Sequence, residues 1–457
     1  METLLFVILF IVLAQIFFRI SGSIKFPGII AVVMFGFMYI WNKWGPITFP
    51  YDFEAKHAAY LLLTLFIFGS AMLLGMRLRR RHTLNSPISK IPERKVAVVA
   101  QVCMLVGIAG GVLFALDIYR NLGGGAAIIQ GNLDYIRDQF LVRTTTWLGA
   151  IGSFLLGAAL PGIILGLRTW LRTVSKGPQY RFLLPLLFIT VAVMNIVGIL
   201  TGGRQMMFAT VITIVGVLLY GGWRSFSKMR RKLFFEAGLV VSILAVVYFL
   251  AVINSRAAGW QNYKYFMYLF QNGEAEWFQP LSGKMPEQVY THIVVLSDYV
   301  AYDLTSLAVL MDDLDYSKLG WGRVQGVHIL RQLKRIGINY SEDFYILKTQ
   351  YDRFINGPTG IGMMIADFGL VGSLLIYFWW GWLLGRRFYD CLYVNSIAGY
   401  LFCVVGFLWI MQSHMSSPLQ EVFPFYGMIW TLIIVTWLRS RIYANSSIRT
   451  RHVPQAS

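Results

Sequence analysis

Several short segments of the chain gather residues able to handle a phosphorylated ligand. Thr201-Gly202-Gly203-Arg204 lies between two apolar runs. Its glycines let the backbone turn sharply and approach a ligand, and Arg204 offers a planar fork of donors suited to phosphate oxygens. Asn254-Ser255-Arg256, followed by Ala257-Ala258-Gly259, comes directly after a later apolar run, so a second arginine emerges at the same membrane level. Two such arginines can clamp one pyrophosphate. Farther on stand Arg323, His328, Arg331, Lys334 and Arg335, then Asp343, Arg353 and Asn356-Gly357-Pro358-Thr359-Gly360. Arg323, His328 and Arg331 have roughly helical spacing, a basic stripe for an anionic head group.

A proton acceptor is offered by His328, whose residue type titrates near neutral pH, and by Asp367, within the Gly360 to Gly372 segment that opens an apolar run. Asp367 is preferred to Glu421, which shares a short loop with His414, because a carboxylate in the outer turn of a membrane helix needs a partner such as an arginine. Each residue also has a plainer reading. Arg204 can snorkel to the headgroups from a tight hairpin, Arg256 can be an interfacial anchor, the 323–335 bases can form a solvated face, His328 can be a hydrogen-bonded structural residue, and Asp367 can simply complete an ion pair. No paired-carboxylate site of the Asp-x-Asp kind is expected, and HExxH, a P-loop and GxSxG are absent. Metalloproteolysis and ATP hydrolysis therefore have no support, and the expectation is chemistry without metal or cofactor, resting on arginines and membrane position.

These residues are carried by an unusual chain: 57% of its 457 residues are hydrophobic and only 14% are charged. A soluble protein could not hide that surface. The apolar runs are continuous rather than alternating, so the expected fold is all-α, a polytopic helical bundle crossing a membrane about eleven times. The expected spans are Leu4 to Phe18, Pro27 to Trp41, Ala59 to Met76, Val96 to Leu116, Trp147 to Leu167, Phe182 to Leu200, Met206 to Tyr220, Phe234 to Ile253, Gly362 to Leu384, Ile397 to Met411 and Tyr426 to Leu438. Leu4 to Phe18 lacks a basic leader and a small-residue cleavage site, so it is read as a span and not as a signal peptide. The chain thus divides into an N-terminal bundle over 1–253, a large loop over 254–358, C-terminal helices over 359–438 and a basic tail over 439–457.

The net charge of +18 is spread through short connecting segments instead of forming one basic domain, so nucleic-acid binding is not indicated. Arg77 to Arg81 with Lys95, Arg168 with Arg172 and Arg181, Arg224 to Lys232, Arg386 with Arg387, and Arg449 with Arg451 all fall on one face if the spans are as drawn. By the positive-inside rule that face is cytoplasmic, and the N-terminus and the 254–358 loop lie outside. Within that loop Tyr290 to Leu310 has the apolarity of a span, but Asp298 and Asp303 argue against lipid exposure, so it is placed flat on the membrane or over the bundle. Cys103, Cys391 and Cys403 are read as buried apolar residues, without a disulfide or thiolate metal site.

The second half of the chain resembles the Wzy-type O-antigen and oligosaccharide repeat-unit polymerases. The resemblance rests on Thr201-Gly-Gly-Arg204 before a span, on Tyr299-Val-Ala-Tyr-Asp-Leu-Thr-Ser-Leu followed by Lys318-Leu-Gly320, on Gly357-Pro-Thr-Gly360, and on Ala366-Asp-Phe-Gly-Leu-Val-Gly372. It implies a bacterial inner-membrane enzyme that works at the periplasmic face without nucleotide sugar or metal. A growing glycan on undecaprenyl pyrophosphate would pass to the terminal sugar of an incoming lipid-linked unit, with a chain-length regulator and a flippase as partners. Arg204, then Arg256 and Arg353, are carried over as pyrophosphate contacts, with Arg323 and Arg331 as further glycan or phosphate contacts and His328 and Asp367 as rivals for acceptor activation. Two rival readings share the helices: an O-antigen ligase-like transferase, and a lipid-linked oligosaccharide or polysaccharide transporter. A transporter predicts repeated halves and broken helices at the bilayer midplane, and internal repeats are not visible here.

Overall fold

The computed structural model describes residues 2–49, 51–83, 91–121, 146–172, 178–200, 205–221, 236, 273–324, 359–413 and 422–450. They form helices almost throughout: α1 (Glu2–Ser21), α2 (Pro27–Trp44), α3 (Ala55–Thr83), α4 (Glu93–Asn121), α5 (Trp147–Leu156), α6 (Ala159–Arg172), α7 (Leu183–Leu200), α8 (Gln205–Gly221), α9 (Glu287–Ser297), α10 (Asp303–Asp312), α11 (Gly360–Leu392), α12 (Ile397–Gln412) and α13 (Val422–Thr450). The strands β1 (Ile47–Thr48) and β2 (Gly273–Glu274) make one antiparallel pair. Local sequence sets several boundaries. Pro27 opens α2 where its missing N–H costs nothing. The hydroxyls of Thr146, Thr359 and Ser396 cap α5, α11 and α12 by accepting from the amide three residues on. The single expected span Trp147 to Leu167 is two helices, because Pro161 cannot donate to the carbonyl of Gly157 and crowds it, and the helix breaks at 157–158.

Ten of the eleven expected spans fall on described helices close to their expected bounds; Phe234 to Ile253 lies outside the described residues. Among the described residues six stretches are long and apolar enough to cross a membrane: Glu2–Ser21, Ala55–Arg81, Glu93–Arg120, Trp147–Arg172, Val289–Asp312 and Gly360–Leu392. Leu183–Gly198, Met206–Gly221, Ile397–Gln412 and Phe423–Leu438 are shorter apolar helices. The bundle turns apolar side chains outward as well as inward. Leu4, Ile11, Val33, Phe66, Val102 and Leu375 are all exposed, a surface that hydrocarbon tolerates and water does not.

Helix directions follow from neighbouring residues. α3 and α11 run parallel, with Tyr60 beside Leu370 and Ser373, and Arg79 paired with Asp390 at 2.6 Å. α8 and α12 run antiparallel, with the Tyr400 hydroxyl on the Val217 carbonyl. The last turns of α3, α6, α8 and α11 therefore meet the first turns of α4 and α12 at one end. There Arg168 grips Glu93 at 3.0 Å, and Arg172 bonds the Asn395 side chain and the Gly221 carbonyl, each at 3.1 Å. The basic segments of α3, α6 and α11 thus share one end, as the charge pattern predicts.

The opposite end carries the α2–α3 connection, the β1–β2 pair, residues 273–324 and the first turns of α5 and α11. The chain leaves the basic end at Gly221 and is next described, apart from Glu236, at Gly273 on the opposite end. Val289–Asp312 has the length and apolarity of a span, but its contacts place it across this end. Tyr290 at its start bonds Glu274, which pairs with Ile47; Ala301 and Thr305 in its middle accept from Asn42; Asp312 at its close meets Lys56 and His57. Start, middle and close all touch the stretch from Asn42 to His57, and the helix packs on α2, α3 and α11 at this end of the bundle.

The tightest seam joins α3 to α11. A Cβ at Gly381 would overlap the Phe68 carbonyl, one at Gly385 the Met72 carbonyl, and one at Gly75 the Trp382 carbonyl. Close backbone approach through small residues is how helices gain dispersion energy in lipid, where apolar burial gives little. Gly385→Leu should destabilise the bundle by about 1–3 kcal/mol, read as a lower unfolding temperature in detergent. Gly283→Ala, at a site where nothing lies within 4 Å of the added methyl, should leave it unchanged.

Candidate functional site

Near its start α11 is interrupted. Gly369 adopts φ 69° and ψ −179°, a conformation essentially restricted to glycine. On the near side of this break the carbonyls of Ala366 and Asp367 accept from Gly320 N at 3.0 Å and Trp321 N at 2.8 Å. On the far side the Leu370 carbonyl accepts from the Tyr60 hydroxyl at 2.8 Å and from Ser373 Oγ at 2.9 Å. A helix break at membrane depth exposes backbone groups that cost several kcal/mol if left bare. Here another segment of the chain is recruited to cover them.

That segment is the loop Leu319 to Val324, and its anchor is Asp367. The carboxylate is fully buried, and its Oδ1 accepts from Gly322 N at 3.0 Å and Val324 N at 2.9 Å. Four of the loop's five amides from Gly320 to Val324 thus end on Ala366 and Asp367. Two glycines are required by this fit: a Cβ at Gly320 would overlap Asp367 Oδ1, and Gly322 sits at φ 87°. Arg323 closes the loop on itself, donating from Nε to the Gly320 carbonyl at 2.8 Å and from Nη2 to the Leu319 carbonyl at 3.4 Å. Trp321 stands outward from the loop with 71% of its surface exposed.

Two further polar groups hold the approach to the loop. His57 is buried, its Nδ1 accepting from Glu54 N at 3.0 Å, which leaves Nε2 to donate to Asp312 Oδ1 at 3.1 Å. Lys56 reaches the same oxygen at 2.7 Å. Asp315 caps the next turn, accepting from Ser317 N at 2.9 Å and Ser317 Oγ at 2.6 Å, with Lys318 at 3.1 Å. The hydrogen bonds from Ser317 and then Lys318 hold the Asp315 carboxyl down to about 2. A depressed carboxyl contributes stability above its unfolded value and loses it as pH falls toward the folded one, so this cap stays intact throughout the neutral range.

The structure brings together two of the residues expected at the site, Arg323 and Asp367. Arg204, Arg256, His328, Arg331 and Arg353 lie outside the described residues, as do Glu421 and His414. At Asp367 an arginine partner was the expectation, and Oδ1 is found accepting backbone amides. Gly369 lies within the Ala366 to Gly372 stretch, but Trp321, Tyr60 and the His57–Asp312 contact carry no sequence motif, and only Gly320 and Gly322, flanking a tryptophan, mark a turn. Contrary to the expectation of no paired carboxylates, Asp313-Leu314-Asp315 has the Asp-x-Asp spacing associated with metal-dependent transfer. Asp315 is engaged as a cap, and among the described residues no group of three metal-binding side chains forms.

Compared with known protein families, curated proteins and solved structures, the chain has no significant match.

Asp367→Ala should free the loop without touching the basic end. Purified protein in detergent should then be cut by trypsin after Lys318 or Arg323 at least about tenfold faster than the parent, as expected if losing a buried acceptor costs about 1–3 kcal/mol. Equal cleavage rates would mean that the carboxylate does not hold the loop.

Proposed function

We propose that this chain is a membrane glycosyltransferase of the Wzy type. It would move a growing glycan from undecaprenyl pyrophosphate to the terminal sugar of an incoming lipid-linked repeat unit. The observation that carries this reading is the junction at Asp367. Two stretches behind the resemblance, Lys318-Leu-Gly320 and Ala366-Asp-Phe-Gly-Leu-Val-Gly372, are far apart in sequence and are bonded to each other at the bundle end away from the basic residues. By the positive-inside rule that end faces the periplasm of a bacterial inner membrane, the side where lipid-linked repeat units are joined in this family.

In this reading the acceptor hydroxyl gives up its proton as its oxygen bonds to the anomeric carbon of the donor glycan. The bond from that carbon to the pyrophosphate oxygen breaks, and undecaprenyl pyrophosphate leaves. Arg204, Arg256, Arg331 and Arg353, together with Arg323, supply the cationic donors that stabilise the leaving charge. His328 is the proton acceptor. Asp367, fully buried and committed to loop amides, acts by positioning the loop that bears Arg323. A chain-length regulator and a flippase are the expected protein partners, and no metal or cofactor is required.

The break at Gly369 favours this reading over a transporter. From Leu370 to Gly385, just before the basic residues Arg386 and Arg387, the helix continues for 16 residues, about 24 Å at 1.5 Å per residue. In a hydrocarbon core of about 30 Å that puts the break toward the side away from the basic end, whereas alternating-access carriers break their helices at the midplane. An O-antigen ligase-like transferase remains the second reading, since it shares outer arginines and the same donor.

The deciding measurement is glycan length on the carrier lipid in cells bearing Arg204→Ala, with expression confirmed. Collapse of long chains to single repeat units, with lipid-linked units persisting, is expected. Unchanged polymer would remove Arg204 from the site. Lipid-linked units trapped on the cytoplasmic face would favour the transporter, and intact free polymer with loss of transfer to lipid A core would favour the ligase.

A further inference from the structure

Trp321 combines features that separate it from the other exposed aromatics at this end. It is 71% exposed, yet its backbone is fixed by a 2.8 Å bond from its N–H to the Asp367 carbonyl. Its φ of 51° places a bulky non-glycine residue in the left-handed region, next to Gly322 at φ 87°. That conformation costs on the order of 1–3 kcal/mol and persists only where the surroundings impose it. Glycine would occupy the position without strain, so tryptophan is held there at a cost in stability. A residue serving only to anchor the protein in the headgroup layer needs exposure, which an unstrained position supplies equally well.

Its neighbours leave the indole face open. Gly320 and Gly322 flank it without side chains, and the Arg323 guanidinium is folded back on the Leu319 and Gly320 carbonyls. The loop's amides are tied to α11, so the ring is presented from a rigid mount and little backbone freedom is lost on binding. A broad flat face of negative quadrupole suits a partner that is flat and carries polarised C–H groups, with polar groups around its edge. A pyranose ring has that surface.

We infer that Trp321 is a sugar-stacking residue that seats one pyranose ring of the lipid-linked glycan beside the Asp367-anchored loop. The inference rests on the proposed polymerase reading and adds a binding residue to it. Because glycine suits the left-handed position, Trp321→Gly removes the ring while relaxing the backbone, and the variant should unfold at the same temperature as the parent or higher. In vesicles supplied with lipid-linked repeat units extracted from the native host, Trp321→Gly should lower kcat/KM about tenfold, chiefly through KM. Trp321→Phe should stay within a few-fold of the parent, and Trp321→Leu should behave like the glycine variant. A parent protein that makes no polymer in this assay removes the polymerase reading itself. With an active parent, an unchanged KM in Trp321→Gly overturns the stacking role, and full rescue by Trp321→Leu assigns the residue to the membrane interface instead.

Discussion

The end of the bundle away from the basic residues depends on one buried carboxylate. A charge of that kind is tolerated in a helical bundle only when its oxygens are occupied, since an isolated carboxylate loses several kcal/mol of solvation. Asp367 meets the requirement by capturing the amides of Gly322 and Val324, while the main-chain carbonyls beside it capture Gly320 and Trp321. The arrangement works in both directions. The break at Gly369 would leave carbonyls bare without the loop, and the loop, with two glycines and four of its amides bonded to α11, would lose most of its hydrogen bonds without that helix.

The rest of the scaffold brings these two halves to the same place. Gly75, Gly381 and Gly385 let α3 and α11 approach backbone to backbone, which fixes the height of the break against Tyr60. Asn42 and the His57–Asp312 contact hold the crossing helix over that end, so the chain enters the 313–324 segment from a fixed point. At the other end, ion pairs Arg79–Asp390 and Arg168–Glu93 tie the basic termini together. Each is a bond between segments distant in sequence.

Much of the helical layout was legible because its signal is strong: twenty-residue apolar runs admit few alternatives, and the basic clusters order them by side. For Tyr290 to Leu310 the sequence pulls two ways, Asp298 and Asp303 against an otherwise apolar run, and Val289–Asp312 keeps the length and apolarity of a span while its contacts gather at one end of the bundle. Less was legible at the site. Asp367 drew attention as a charge near a helix end, but its Oδ1 accepts from backbone amides some 45 residues away, and no side-chain pattern announces an amide. The break between α5 and α6 follows from Pro161, yet hydropathy alone runs straight through it. Trp321 reads as one more aromatic in an aromatic-rich chain until its backbone angle is known. Asp313-Leu314-Asp315 shows the reverse difficulty, a spacing with a chemical meaning whose second carboxylate serves a turn.

The position of the irregular backbone bears on the kind of chemistry the protein can host. In hydrocarbon, non-helical chain is confined to places where protein or water satisfies it. Here it lies about 24 Å along α11 from the basic residues Arg386 and Arg387, with the Asp367-bound loop beside it and the basic termini at the far side. A device that carries a polar solute through the bilayer needs its unsatisfied groups along the path, near the middle. A device that joins two lipid-anchored molecules needs them at the surface, where head groups already sit and only their mutual orientation remains to be fixed. Orientation of that sort is worth several orders of magnitude in rate without any covalent participation by the protein. A loop locked by Asp367, carrying a guanidinium and an outward indole at the end of the bundle away from the basic termini, matches the second requirement, and this is what supports the proposed reading over a transporter.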